Sequence, residues 1–320
     1  MRSTMKSPIR LSDPPPRLSA TTARPNRRGH HAGWRFVAPS AAFLVLVTIV
    51  PIVFLLTISL FDYQLGMPLG SARFVGIRYY EQMASGQDTT YWTSVKVTLY
   101  LAVATTVLNL LLGLAIATGL DRMARLRAPF TIAMIMPMVI APAVVGMIWS
   151  LLYNDSYGLI NAVLRELTGW APNWLGDAQL APVSIIIVEV WEWTPFVALI
   201  LLAGLQGIPT EPLEAAKVDG AGAVRTFWSI TLPLLRPIIF LVALLRVIDT
   251  LKLFDMVYVL TGGGPGSSTE TVGLKIFNLS LHTDTDVGRA AAVSVTLIFI
   301  IFSLSLVVLR FLKRAEGQSQ

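Results

Sequence analysis

The sequence contains no cysteine and only three histidines. Without cysteine, the chain can form no disulfide, no thiolate metal site and no cysteine nucleophile. The patterns G-x-x-x-x-G-K-[ST], H-E-x-x-H and G-x-S-x-G are also absent, and the three histidines lie outside the long apolar stretches. We therefore expect no catalytic residue, no metal site and no ATP-binding P-loop in this chain.

Charged residues are also scarce. They make up 14% of the 320 residues, and hydrophobic residues make up 54%, whereas soluble domains carry about 25% charged residues. A soluble core of this chain length could not bury so much apolar surface, so the surplus is predicted to contact lipid. The net charge of +6 alone would suggest nucleic acid, but the basic residues flank apolar stretches, and no nucleic-acid partner is expected.

Six apolar stretches are each long enough to cross a bilayer as an α-helix, which needs about 20 residues. None alternates with period two, so barrel strands are not favoured. The predicted fold is all-α, a polytopic membrane protein with six transmembrane helices. The stretches are Phe36–Leu60, Val95–Leu120, Phe130–Tyr153, Pro182–Leu205, Pro237–Leu260 and Ala290–Leu312.

Basic residues are distributed unequally between the two sides of these spans. Seventeen lie in residues 1–35, 121–129, 206–236 and the C-terminal end, against five in the other connections. The positive-inside rule then places both termini and residues 206–236 in the cytoplasm. Residues 1–35 are predicted to be a disordered basic tail, although their Arg- and Ser-rich composition also resembles an organelle transit peptide, and residues 313–320 a second tail.

Residues 206–236 form the most informative connection. We expect a short helix capped by Thr210 and ended by a left-handed Gly220, then a second helix bounded by Pro233 and Pro237 before the membrane. A short helix with small alanines, presented between two spans, is suited to dock a partner. An ordinary amphipathic loop at the membrane surface is the alternative.

Two motifs carry a resemblance to a known family. Glu214-Ala215-Ala216 followed by Asp219-Gly220-Ala221 resembles the EAA signature of permease subunits of ATP-binding-cassette importers. The stretch from Phe254 to Pro265, Phe-Asp-Met-Val-Tyr-Val-Leu-Thr-Gly-Gly-Gly-Pro, is similar to the sugar-importing branch of the maltose and glycerol-3-phosphate type. The resemblance covers residues 36–312.

The resemblance implies a type I ABC importer permease fold in the bacterial inner membrane. It implies a second homologous permease subunit, two copies of an ABC ATPase that bind ATP and Mg²⁺, an extracytoplasmic solute-binding protein and a solute of the sugar class. This chain itself would bind no cofactor. The coupling residues that it implies are Glu214, Ala215, Ala216, Asp219 and Gly220.

Several charged residues lie within the predicted spans, where an unpaired charge costs about 2.5–3.5 kcal/mol on insertion scales. Glu189 and Glu192 lie in the fourth span beside Trp191 and Trp193, and the fifth contains Arg246, Asp249, Lys252 and Asp255. The charges of the fifth span alternate in sign at i, i+3 spacing, so they can pair along the helix, and Arg246 or Lys252 can also pair with the glutamates. Ion pairs and a polar lining of the solute path, with tryptophans that stack on a sugar, are both open interpretations.

The run Thr261-Gly262-Gly263-Gly264-Pro265 is either a flexible turn after the fifth span or a gate that contacts the binding protein, as the motif match suggests. An ion-coupled secondary transporter is the alternative function, because charges in broken helices suit ion coupling. That class predicts two related inverted halves, and the sequence contains no such repeat.

Overall fold

The computed structural model describes residues 29–123, 127–282 and 284–317, and these residues are mainly helical. They fall into two compact units, residues 29–52 and residues 53–317. A two-residue antiparallel ladder pairs β1 (Phe61–Asp62) with β2 (Arg73–Phe74). The helices are α1 (Gly29–Ile58), α2 (Arg78–Ala84), α3 (Thr89–Arg122), α4 (Arg127–Val139), α5 (Pro142–Leu152), α6 (Leu159–Thr168), α7 (Leu180–Gln206), α8 (Thr210–Val218), α9 (Ala223–Thr226), α10 (Leu232–Leu251), α11 (Asp255–Leu260), α12 (Val272–Phe277) and α13 (Val287–Gly317).

Within these residues, five helical segments are long and apolar enough to cross a membrane. A sixth consists of α4 and α5, if this bent pair counts as one span. The predicted all-α fold with six spans is confirmed. The five continuous segments are Val37–Ile58, Thr89–Arg122, Leu180–Gln206, Ala223–Leu251 and Val287–Val307.

The third predicted span, Phe130–Tyr153, is two helices that meet at 93° instead of one. α4 ends at Val139, and Ala141 is extended with φ −63° and ψ 137° immediately before Pro142, the first residue of α5. A proline disfavours the helical conformation in the residue before it, and Pro142 has no amide proton to donate. Pro142, which lies inside the predicted third span, therefore begins a new helix.

The fifth span was predicted with the wrong bounds. The helical segment runs from Ala223 through a π-helical turn, Phe227–Thr231, to Leu251, so Pro233 and Pro237 lie inside it and do not separate a loop helix from the membrane. Pro233 has no N–H group, so in a regular α-helix the carbonyl four residues before it would have no partner. The π-helical turn just before Pro233 shifts the backbone hydrogen bonds by one residue. The helix ends at Leu251, and the next helix along the chain is α11.

α7 packs along α3 and α10 through small residues. A Cβ atom at Gly113 would lie 2.7 Å from Cγ1 of Val197, and one at Gly204 would lie 2.6 Å from Cδ1 of Ile238. Thr194 also donates a 2.9 Å hydrogen bond from α7 to Asn109 of α3. Small side chains allow such close approach between membrane helices, so α7 is the central element around which the site is built.

The outward faces of the spans are apolar. Leu111 of α3, Phe240 of α10 and Phe299 of α13 are each more than half exposed. This is the surface that lipid would cover in a membrane. The prediction that the chain contacts lipid thus agrees with the placement of its apolar side chains.

The helical ends extend into the predicted tails. α1 begins at Gly29, within the predicted disordered residues 1–35, and α13 continues to Gly317, beyond the predicted end of the domain at residue 312. Each added residue continues an existing helix with one more hydrogen bond, which is easier than starting a helix. Residues 1–28 and 318–320 lie outside the described residues.

Candidate functional site

A cavity of about 260 Å³ opens between α7, α10, α11 and the start of α5. Seven of the eight intramembrane residues singled out from the sequence line this cavity: Glu189, Glu192, Trp193, Arg246, Asp249, Lys252 and Asp255. Pro142, Leu253, Phe254 and Met256 complete the lining. The cavity lies nearer the end of α7 that is opposite α8, because Glu189 lies early in α7 and Arg246 late in α10.

An ion pair lies in the wall of this cavity. The Arg246 Nη2 atom lies 3.3 Å from Glu189 Oε1, and the side chains are 0% and 3% exposed. The guanidinium carbon also lies 4.8 Å from the centre of the Trp193 ring, a cation–π contact. Arg246 is thus held across helices by Glu189 and Trp193 and not, as one interpretation of the sequence had it, by its neighbours along α10.

Several buried polar atoms of the cavity are unpaired. Within the described residues, Oε2 of Glu189, Oε2 of Glu192 and both Nε and Nη1 of Arg246 make no hydrogen bond. Burying such atoms without a partner is costly, and most buried polar groups in proteins are satisfied. These four atoms are enclosed in the wall behind the surface of the cavity and are not accessible to a solute in this conformation.

The rim of the cavity is more exposed. Lys252 Nζ lies 3.6 Å from Asp249 Oδ1, with side chains 55% and 45% exposed. This pair has the predicted i, i+3 spacing. Asp255 does not continue the series, because α10 ends at Leu251 and Asp255 is the first residue of α11.

The two tryptophans beside the glutamates have different surroundings. Trp193 lines the cavity, whereas Trp191 packs edge-to-face on Trp149 at 5.6 Å and lines a separate apolar groove with residues of α3 and α4. Residues two apart are about 200° apart around an α-helix, so both cannot face one cavity. The structure places Trp191 away from the other seven predicted residues.

α8 carries the EAA residues and ends in a Schellman motif. The Ala221 N–H bonds to the carbonyl of Ala216 at 2.9 Å, and the Gly220 N–H bonds to the carbonyl of Lys217 at 3.1 Å. Gly220 has φ +72°, as the sequence predicted. Thr210, predicted to cap the helix, is instead its first residue; Pro209 precedes it as the N-cap position, and no side-chain cap bond forms.

The EAA residues divide between two faces of α8. Glu214, Ala215 and Asp219 are exposed, whereas Ala216 is 6% exposed. A cavity of about 320 Å³ lies between this segment and the nearby ends of the spans, lined by Leu213 and Lys217 of α8, Thr118 and Arg122 of α3, Leu205 of α7 and Thr231, among others. α8 thus presents one face outward, and it contacts the π-helical turn Phe227–Thr231 at the start of the fifth span.

The glycine run after α11 forms an ordered turn. Thr269 donates a 2.8 Å hydrogen bond to the carbonyl of Gly264, and its hydroxyl lies 2.8 Å from that of Thr261. Gly263 has φ +91°, and a Cβ atom there would lie 2.8 Å from Cδ2 of Leu274, so only glycine fits. Of the described residues that line the 260 Å³ cavity, none comes from Thr261–Pro265.

One ion pair at the start of α3 was missed in the sequence analysis. Asp88 accepts hydrogen bonds from the Tyr91 N–H at 2.9 Å, the Thr90 hydroxyl at 2.8 Å and Arg289 Nη2 at 2.6 Å. Burial alone would raise the pKa of Asp88, but the bonds from Arg289, Tyr91 and Thr90 outweigh it and lower the pKa. The Asp-Thr-Thr sequence before an apolar stretch is an N-cap signal, whereas Arg289 is too distant in sequence to be identified as the partner.

Comparison with known proteins places these features in a family. Residues 109–316 match the family model described as binding-protein-dependent transport system inner membrane component. The chain is 35% identical over 289 residues to the trehalose/maltose transport system permease protein MalF of Thermococcus litoralis, covering 90% of this chain and 96% of the relative. It is 35% identical over 250 residues to the sn-glycerol-3-phosphate transport system permease protein UgpA of Agrobacterium fabrum, covering 76% and 82%.

A solved structure has a similar fold. A chain of a bacterial ABC transporter involved in the import of the acidic polysaccharide alginate superposes with a TM-score of 0.74 at 18% identity, covering 90% of this chain and 96% of the other. At this identity the likeness establishes the fold alone.

Proposed function

The chain belongs to the family of binding-protein-dependent transport system inner membrane components, and we propose that it carries a hydroxyl-rich solute of the sugar class through its 260 Å³ cavity. It is a permease subunit of an ABC importer, and the ATPase is a separate subunit. The proposal of a solute path is supported above all by one observation. Six charged side chains, those of Glu189, Glu192, Arg246, Asp249, Lys252 and Asp255, line a cavity inside an otherwise apolar bundle.

The sugar class is supported by the relatives and by the cavity. The relatives from Thermococcus litoralis and Agrobacterium fabrum are named for trehalose/maltose and for sn-glycerol-3-phosphate transport. Binding pockets generally combine apolar walls with a few placed polar groups, as here. A volume of about 260 Å³ is slightly below the usual range of about 300–1,000 Å³, so the cavity would hold a small solute or one ring of a larger one.

We assign the ATPase contact to α8. Glu214, Ala215 and Asp219 are exposed, the small Ala215 allows close approach, and Gly220 fixes the end of the helix. Because α8 contacts the π-helical turn Phe227–Thr231 in the helical segment that also carries Arg246, a displacement of α8 would be passed along that segment to the cavity. ATP and Mg²⁺ would be bound by the ATPase subunits, whose closure moves α8 and reopens the spans toward the other side of the membrane.

The remaining partners follow from this arrangement. The complex would contain a second homologous permease, two copies of the ATPase and an extracytoplasmic binding protein, with the ordered turn at Thr261–Pro265 as gate or contact for that protein. The bias of basic residues supports a cytoplasmic position for both termini and for α8. An ion-coupled secondary transporter is not favoured, because members of this family work with a binding protein.

Co-purification tests this assembly. The tagged chain, extracted in mild detergent from its native membrane, is expected to bring down a P-loop ATPase in twofold amount and a second permease with an EAA segment. Because the chain has no cysteine, Ala215→Cys provides a single reactive site, which is expected to cross-link to the ATPase. Leu167→Cys, 75% exposed on α6, is the control and should not. Recovery of the chain alone, moving solute in vesicles without ATP, would overturn the proposal.

A further inference from the structure

We propose that α6 lies in the membrane–water interface, with Leu159, Val163 and Leu167 inserted among the lipid chains of the outer leaflet. The helix connects the end of α5 to the start of α7, at the end of the bundle opposite α8. The distribution of basic residues assigns this end to the outer side of the membrane. The partner that this surface fits is therefore a lipid surface.

One face of α6 is apolar but is not covered by the chain. Leu159, Val163 and Leu167 follow one another at i, i+4 spacing, which places them along one stripe of the helix. They are 62%, 49% and 75% exposed. Full burial of a large apolar side chain contributes about 1.5–3 kcal/mol relative to leaving it in water. We therefore expect an apolar environment to cover this stripe.

The other faces of α6 are polar. Asn161 is 1% exposed, and its side chain donates a 2.9 Å hydrogen bond to the carbonyl of Pro172 and accepts one of 2.9 Å from Trp174 Nε1. This face thus packs on the protein. Arg165 and Glu166 lie outside the apolar stripe and are exposed. A helix with one face on the protein, one apolar and one charged is suited to the boundary between lipid and water.

Aromatic side chains support a membrane surface as that boundary. Tyr157, just before α6, and Trp170, just after it, are each more than half exposed. Trp92 in the first turn of α3, at the same end of the bundle, is also exposed. Trp and Tyr are enriched at the level of the lipid headgroups, because an apolar ring carries one polar group. Their distribution over separate elements favours a lipid surface over a protein that docks at one place.

The stripe lies next to an apolar surface of the preceding span. Met147 and Leu151, in the last two turns of α5, are each 59% exposed. α5 belongs to one of the candidate membrane spans, and α6 contacts it after the short connection of residues 153–158. Lipid that covers the end of α5 is thus adjacent to α6.

Hydrogen bonds join α6 to the start of α7. Trp174, which is bonded to Asn161 of α6, accepts a 3.0 Å hydrogen bond at its carbonyl from the hydroxyl of Ser184 in α7. Tyr153, directly after α5, donates a 3.3 Å hydrogen bond to the carbonyl of the same serine. Insertion of α6 in the interface would therefore fix the depth of the outer ends of α5 and α7.

The test uses the complete importer in lipid nanodiscs, with a nitroxide attached to one cysteine introduced into this chain. Because the natural chain contains no cysteine, an importer with the natural chain, labelled in the same way, gives the background from the other subunits. Val163→Cys and Leu167→Cys report on the stripe. Ala162→Cys and Glu166→Cys, each one residue earlier and also exposed, are the matched controls outside the stripe.

Electron paramagnetic resonance would compare collisions of each label with oxygen, which dissolves in lipid, and with a water-soluble nickel chelate. We expect the labels at Val163 and Leu167 to favour oxygen and to lie about 5–10 Å below the headgroup boundary. The labels at Ala162 and Glu166 should favour the nickel chelate.

Three results would overturn the proposal. Frequent collisions with the nickel chelate at all four positions would place the stripe of α6 in water. Few collisions with either reagent at Val163 and Leu167 would mean that another subunit covers the stripe. The measurement is repeated with the binding protein added, and a loss of oxygen collisions at the stripe only then would identify that protein as the occupant.

Discussion

The cavity and α8 contain charged residues in opposite settings. Glu189, Glu192 and Arg246 are almost inaccessible, and helix packing fixes them. Glu214 and Asp219 on α8 are exposed and hydrated. A buried charge needs a partner within the protein or from the solute, whereas an exposed charge costs little until a partner docks. Changes in the cavity should therefore affect both stability and solute binding, and changes to the exposed charges of α8 should affect coupling alone.

The largest effect is expected for Arg246→Met. The substitution leaves Glu189 buried without its partner, and breaking a buried pair in this way costs about 3–5 kcal/mol of folding free energy. Thermal unfolding in detergent, followed by tryptophan fluorescence, would measure this loss. The double variant Glu189→Met/Arg246→Met should regain most of the stability and still fail in uptake. If Arg246→Met alone were as stable as the natural chain, the Arg246–Glu189 pair would not be desolvated.

The next largest effect is expected on α8, the second of the two regions compared. Glu214→Lys should reduce ATP-driven uptake by at least about tenfold, because it reverses a charge on the face proposed to dock the ATPase. The free energy of unfolding should change by no more than about 0.5 kcal/mol, as is usual for surface sites. Glu211→Lys, exposed on the same helix, is the control that should keep uptake. Normal uptake by both Glu214→Lys and Gly220→Pro would contradict the coupling assignment.

Asp88→Asn tests the contribution of a buried charge that lies outside both the cavity and α8. Asparagine can still cap α3 but loses the ionic bond to Arg289, so we expect a loss of about 1 kcal/mol in stability at pH 7 without a change in solute binding. Because the pKa of Asp88 is lowered in the folded chain, its contribution is present above the unfolded pKa of about 3.9 and is lost as the pH falls below it. Unfolding measured at pH 7 and near pH 3 should show the difference between variant and natural chain shrink. A difference independent of pH would point to packing instead of charge.

A local effect is expected at the end of α8. Gly220 has φ +72° and open space where a Cβ atom would lie, so Gly220→Ala is strained by its backbone alone, by about 1–2 kcal/mol. Gly222 has φ −67° and equally open space, so Gly222→Ala should be neutral. Hydrogen exchange of the α8 amides would compare the two variants. Equal protection in both would mean that the left-handed residue does not hold the end of the helix.

The smallest effect is expected at the exposed rim of the cavity. Removing the Asp249–Lys252 pair by Lys252→Met should change the free energy of unfolding by at most about 0.5 kcal/mol, because both side chains are about half exposed. The change should disappear at high salt. Unfolding at low and high ionic strength would measure both. A loss as large as that of Arg246→Met would show that the rim is desolvated and belongs to the buried part of the site.

The amino-acid sequence alone determined the features that depend on nearby residues. Apolar runs of sufficient length identified the spans, because lipid requires backbone groups to bond within each helix. The left-handed Gly220 followed from the short helix before it. The spacing of Trp191 and Trp193 already implied opposite faces of α7, although it could not indicate which of them faces the cavity.

Only the tertiary structure decided which distant groups meet. Glu189 and Arg246 are 57 positions apart, and their pairing depends on how α7 and α10 pack. The break between α4 and α5 and the extension of the fifth span through Pro233 were also undetermined, because a proline inside an apolar run can kink, end or continue a helix according to its neighbours. Local rules fix which segments become helices, whereas the site arises where packing brings the charged faces of separate helices together.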